Sequence, residues 1–173
     1  MAHYRPELDT CPFCSSKGNC RIHAYYWRKI GAFQDGSVVW EKVAVMRVIC
    51  SSCGHTHAVL PDIIIPYARH GLLFVLKVLA SHFSGHFSAE KICERFSITR
   101  NTFFKWLSLW HKHKDLFLGR LASSETDSRS FMAQITDRQE YSAFASSFVR
   151  SFAVSFLQSH KNPANYCQQV FDP

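Results

Sequence analysis

The sequence predicts an α+β fold: an N-terminal β-hairpin with two cysteine knuckles, then a helical bundle, then a C-terminal amphipathic helix. Three observations predict it. Two Cys-x-x-Cys pairs stand far apart in the first third, hydrophobic spacing changes from alternating to helical near residue 67, and phenylalanines recur every four residues toward the end. The expected segments are residues 1–66, 67–120 and 121–173. A chain of 173 residues is long enough for one ordinary domain or two very small ones, and two small modules are expected.

The first knuckle is Cys11-Pro12-Phe13-Cys14 and the second is Cys50-Ser51-Ser52-Cys53-Gly54. Each is a tight turn able to aim two thiolates at one point, and tetrahedral zinc takes four soft donors at about 2.3 Å. The chain between them must go out and return. Residues 21–28 are rich in β-favouring aromatics, Gln34-Asp35-Gly36-Ser37 is a turn signal, and residues 38–49 alternate imperfectly around Val43, Val45 and Val48. A structural zinc held by Cys11, Cys14, Cys50 and Cys53 follows, in the arrangement known as a zinc ribbon. Four thiolates leave no open position for water, so this zinc stabilises the fold and does not catalyse. The competing reading, redox-active thiols, normally has its Cys-x-x-Cys opening a helix after a strand, which neither pair here does. His23, His55 and His57 are strand or surface neighbours of the site, able to supplement a thiolate. Cys93 is expected as a buried thiol on a helix; Cys20 and Cys167 carry no assignment. Residues 59–66, bounded by Pro61 and Pro66, suit an extended linker or edge strand.

At 47% hydrophobic and 19% charged, the composition is that of a folded chain and excludes wholesale disorder. No run reaches the roughly 18 to 20 apolar residues of a membrane span, and Glu7 and Asp9 interrupt any apolar signal core, so a cytoplasmic protein with no membrane partner is expected. The net charge of +7 points to an anionic partner. It is distributed unevenly. Residues 1–66 carry +2, residues 67–120 carry +6 and residues 121–173 carry −1.

That basic middle segment also holds a helix-turn-helix pattern. Residues 67–82 place Leu72, Leu73, Leu76, Val78 and Leu79 at helical spacing; Ser88 is positioned to cap a short helix over 89–96 that buries Ile92, Cys93 and Phe96. Ser97-Ile98-Thr99 then forms a turn, and Thr99 caps a second helix over about 100–114 that buries Phe103, Leu107 and Trp110, flanked by Phe104 or Trp106. Arg100, Asn101, Thr102 and Lys105 stand at its N-terminal end, where a recognition helix meets base edges. Lys112, His113 and Lys114 are placed for phosphates or for the helix dipole. The bland alternative is a face charged for solubility alone.

Residues 121–129 are polar and suit a surface loop. From 137 to 160, Phe144, Phe148, Phe152 and Phe156 form one stripe of a long helix, either core packing or an interface for a homodimer or protein partner. The tail over 162–173 carries no assignment.

The order of Cys11-Pro12-Phe13-Cys14, Cys50-Ser51-Ser52-Cys53-Gly54-His55-Thr56-His57, Leu60-Pro61-Asp62-Ile63-Ile64-Ile65-Pro66-Tyr67 and the helix pair after it resembles small bacterial zinc-ribbon proteins of unknown function found near mobile elements. It is also similar to the N-terminal DNA-binding part of insertion-sequence transposases. The resemblance covers about residues 8–120, and implies zinc on the four cysteines and DNA contact by the helix from Arg100. No large nuclease domain follows, so strand transfer by this chain alone is not expected. The leading expectation is a binder of double-stranded DNA, transposon-associated or regulatory. An adaptor in a nucleoprotein complex, using the ribbon and the Phe-lined helix, is the alternative. No residue has a spacing that marks it as catalytic, so an enzyme is not expected.

Overall fold

The computed structural model describes residues 5–61, 64–121, 132, 138–152 and 154–159. After a short 3-10 turn, Pro6–Leu8, come strands β1 (Cys20–Gln34), β2 (Ser37–Cys50) and β3 (Thr56–Val59). Helices α1 (Leu72–Phe83), α2 (Ala89–Arg95), α3 (Arg100–Leu121) and α4 (Arg138–Phe152) follow. The fold is α+β, with one antiparallel sheet in the order β1-β2-β3. None of the described helices is long and apolar enough to cross a membrane.

The hairpin is longer than its aromatic centre suggests. Asp35 and Gly36 both have positive φ, 49° and 79°, the pair of left-handed residues that turns a two-residue hairpin loop without splaying its strands. Pairing then runs from Gln34↔Ser37 down to Cys20↔Cys50, broken only where His23 bulges between Ile22 and Ala24. The register therefore ends by bringing the second knuckle beside Cys20. The third strand lies earlier than the extended segment expected over 59–66. Thr56–Val59 pairs with Met46–Ile49 before Pro61 and Pro66, which cannot donate to a ladder, so pairing stops where the prolines start.

From β3, at one edge of the sheet, the chain passes to the opposite edge at β1. Arg28 holds this crossing through the carbonyls of Ile65 and Ala68, and residue Gly31 exchanges hydrogen bonds with Arg69 O and Gly71 N. Beneath the crossing lies a cleft of about 410 Å³, lined by Tyr26, Arg28, Arg47, Thr56, Leu60 and Tyr67 among others. These contacts, with Tyr67 at φ 62°, delay the first helix to Leu72 where the hydrophobic spacing alone would start it at 67.

One hydrophobic core joins the four described helices, built on Leu72, Phe74, Leu76, Leu79, Ile92, Phe96, Phe103, Trp106, Trp110, Phe144, Phe148 and Phe156. The hairpin tip enters it: the rings of Phe33 and Phe96 are 4.5 Å apart, and Lys77 Nζ donates to Phe33 O at 2.9 Å. Ser88 caps α2 by accepting the Lys91 N–H, and Thr99 caps α3 by accepting the Thr102 N–H, as expected. Three expectations need correction. Helix α3 continues seven residues beyond 114; Trp106 is buried where Leu107, half-buried, was expected; and α4 ends at Phe152, so Phe156 joins the core from a turn. The polar loop over 122–129 and the tail over 162–173, Cys167 included, lie outside the described residues.

Candidate metal centre and basic helix face

The two knuckles repeat one hydrogen-bond pattern. In the first, Ser15 N–H donates to Cys11 O and Cys11 N–H to Ser16 O; in the second, Gly54 N–H donates to Cys50 O and Cys50 N–H to His55 O, all at 2.9 to 3.0 Å. Each turn ends on a left-handed residue directly after its second cysteine, Ser15 at φ 58° and Gly54 at φ 72°. The turns are linked to each other by Ser16 Oγ and Ser52 Oγ, 3.0 Å apart, and by the Ser51 N–H donating to Asn19 O at 2.8 Å. Their four sulfurs all lie within 4.8 Å of one another, with Cys11 to Cys53 at 3.7 Å and Cys14 to Cys50 at 3.8 Å. A tetrahedron of thiolates at about 2.3 Å from a central zinc has edges of about 3.8 Å. The cluster can hold a metal ion.

Its electrostatics call for a cation. Burial pushes the Cys50 thiol up, but the backbone N–H groups of Cys53 and Ser52 directed at its sulfur more than reverse this and draw it down to about 6. At Cys53 the His55 N–H lowers the pKa, yet burial and the neighbouring Cys14, Cys11 and Cys50 drive it up to about 12. Four sulfurs within 4.8 Å of one another cannot all ionise without a counter-charge. A bound divalent ion removes that conflict, because a coordinated thiol is deprotonated outright.

Cys20 is a fifth, buried sulfur beside this group, and none of the four-sulfur set. Burial, then Cys50 and Cys11, raise its pKa to about 11, so it persists as a thiol hydrogen-bonded to Cys50. The three histidines do not join the cluster. His23 is exposed at the bulge, and His55 stacks on Phe13 with ring centroids 4.6 Å apart. His57 is buried, has no hydrogen-bond partner on either ring nitrogen among the described residues, and is held below its usual pKa by burial. Cys93 is buried and its pKa is raised by burial, an inert thiol as expected.

On α3, Asn101, Phe104, Lys105, Ser108, His111 and Lys112 are exposed, and their spacing places them on one side of the helix. Phe103, Trp106, Trp110 and His113 are buried on the other. Arg100 forms an ion pair with Glu90 at 3.1 Å, while the Thr102 hydroxyl pairs with Thr99 at 2.9 Å in the helix cap. Lys114 is half-buried. His113 does not face phosphates. Its Nδ1 accepts the Leu157 N–H at 2.8 Å, and its ring stacks on Phe148.

A family model described as a domain of unknown function, DUF6431, matches residues 11–106, more than half of the chain. The chain belongs to the DUF6431 family. No curated protein and no solved structure matches. The DUF6431 match begins on the first knuckle cysteine and ends at Trp106, so it takes in the whole four-cysteine cluster, the sheet, α1, α2 and the first turns of α3. It includes Arg100, Asn101, Thr102 and Lys105, and leaves Lys112, Lys114 and α4 beyond it. The family's description names neither a transposase nor a nucleic-acid-binding activity.

Two features of this DUF6431 chain were not legible as site components. Cys20 lacks a partner cysteine at knuckle spacing, and only the strand register places it opposite Cys50. The Glu90 carboxylate that engages Arg100 sits ten residues earlier, across the turn between α2 and α3.

Proposed function

We propose that this protein is a zinc-stabilised binder of double-stranded DNA that reads the major groove with the N-terminal half of α3. Cys11, Cys14, Cys50 and Cys53 hold the zinc, which fixes the two knuckles and the sheet root and leaves no position open for catalysis. Helices α2 and α3 act as a helix-turn-helix, with α1 as support. The observation that carries this reading is the exposed side of α3 that bears Asn101, Lys105 and Lys112, on the segment that holds nearly all of the excess positive charge. Asn101 suits adenine and Lys105 suits guanine; Lys112 lies a further two turns along, where the groove wall brings phosphates close. Thr102 is engaged in the cap and contributes by orienting the first turn. Arg100 exchanges Glu90 for a base edge or phosphate on binding. A role beside a mobile element, or in transcriptional regulation, is compatible with such a module, which acts by binding rather than by catalysis.

The test is selection of the zinc-loaded protein on a pool of random duplexes at low and moderate salt, with sequencing of the retained fraction. The expected result is an enriched sequence and a steep salt dependence. Asn101→Ala should relax preference at one position at a cost of about 1 to 3 kcal/mol, while Lys112→Ala weakens all sequences alike. Equal losses on every sequence for both variants would remove base readout by α3. The adaptor alternative loses its main motive because Phe148 is fully buried and Phe152 half-buried in the core.

A further inference from the structure

The hairpin carries an open aromatic face that the duplex-binding reading does not use. Side chains of one strand alternate between faces, and residues paired across strands share one. The pairs Tyr25↔Met46, Trp27↔Ala44, Lys29↔Lys42 and Gly31↔Trp40 therefore lie on the same side of the sheet. The opposite side, with Tyr26 and Arg28, borders the chain crossing and its cleft. The first side has its Gly31 and Trp40 end against His70, but its middle is bare: Trp27 is 71% exposed and Tyr25 58%. So large a ring surface in water is unusual, and the small Ala44 opposite leaves the Trp27 ring uncovered.

The charges on this face narrow what covers it. Lys29 and Lys42 are directly cross-strand, a like-charge pairing that disfavours the sheet unless an anion lies over both. Among positions 25 to 31 and 40 to 46 on this face there is no carboxylate; Glu41 is on the other side and Asp35 is in the turn. Protein interfaces are depleted in lysine, whereas rings alternating with cations are the makeup of single-strand platforms. Spacing favours a single strand over a duplex. Rings two residues apart on a strand are about 6.6 Å apart, roughly twice the 3.4 Å step of a stacked strand, so they suit splayed bases, and a duplex offers no open base faces.

We infer that the Tyr25, Trp27, Lys29 and Lys42 face binds single-stranded nucleic acid, bases stacking on the two rings and phosphates lying over the two ammonium groups. This surface is separate from α3 and does not rest on the duplex-binding reading.

The experiment titrates the full zinc-loaded chain into a labelled oligothymidylate of about 20 nucleotides, longer than the roughly 4 to 16 that one such platform covers. Anisotropy and tryptophan quenching are read at low and moderate salt. Trp27→Ala and Tyr25→Ala should each weaken binding roughly 5- to 150-fold. Trp27→Phe should restore much of the loss, and the Lys29→Ala, Lys42→Ala double variant should lower the salt slope by about 1.4. Asn101→Ala should leave oligothymidylate binding unchanged, which separates this outcome from failure of the α3 reading. Zinc content confirms that each exposed-site variant is folded. Absence of binding at low salt, unchanged affinity in Trp27→Ala, or equal competition by duplex of the same length would overturn the proposal. So would loss of a dimer in Trp27→Ala by sedimentation, which would give the face to a second copy.

Discussion

The Nδ1 of His113 accepts the Leu157 N–H, and the rings of Phe148 and Phe156 lie 5.2 and 5.7 Å from its own, so a proton there would displace the donor and charge a buried site. Burial first, then the neighbouring Lys112, lowers its pKa from 6.5 to about 4. Between these values the unfolded chain binds a proton that the folded chain does not, so stability is complete above about pH 6.5 and is lost as pH falls toward 4. The full effect is on the order of 3 kcal/mol. Urea unfolding at pH 7 and pH 4.5 should show it. His57, His70 and His82 are also lowered by burial and titrate in the same direction, so the diagnostic is the difference between wild type and His113→Asn, whose carbonyl can still accept the Leu157 N–H. An unchanged pH slope in the variant would clear His113 of the role. The four clustered cysteines were legible from spacing alone, because two knuckles on one returning hairpin leave their sulfurs few other arrangements. His113 was masked by the lysines on both sides, although Trp106, Trp110 and His113 follow one another at spacings of four and three.

Among the elements, β1 depends on one glycine where the sheet meets the helices. A Cβ at Gly31 would lie 2.7 Å from His70 Cδ2 and 3.5 Å from Trp40, and His70 is itself packed on Phe74 and Trp106. Gly31→Ala therefore has to push the half-buried His70 ring off its packing on Phe74 and Trp106, with an expected cost of about 1 to 3 kcal/mol in thermal unfolding. A midpoint equal to wild type would mean the chain crossing yields freely. The caps at Ser88 and Thr99, the Asp35-Gly36 turn and the short α2 were all legible because each rests on local side-chain chemistry. The start of α1 and the end of α4 were not. Both are decided by distant partners: Gly31 claims the backbone of residues 69–71, and Phe156 meets Trp110 and Phe144 from outside the helix.

At the scale of the whole molecule, the cysteine cluster and the apolar core lie in different regions. The cluster ties together positions 36 and 42 residues apart in sequence, while the helices have a large apolar core of their own. Removing the metal with a chelator should release the knuckles and the sheet root and leave most of the helical circular dichroism in place. Cys50→Ser should do the same, whereas Cys20→Ser should retain metal at wild-type stoichiometry. Complete loss of helix on chelation would show that the core does not stand without the sheet. The joining of the two regions was not legible, since it runs through the backbone of Gly31 and through Phe33 rather than through any motif. That joint has one more effect. At 15 residues β1 is a long outer strand, of the kind on which another chain can template itself. Residues 69–71 occupy its rim at Gly31, and Arg28 and Lys29 bring charge to the positions just before it. The two hydrogen bonds at Gly31 thus seat the helices and also stand between this strand and edge-to-edge association.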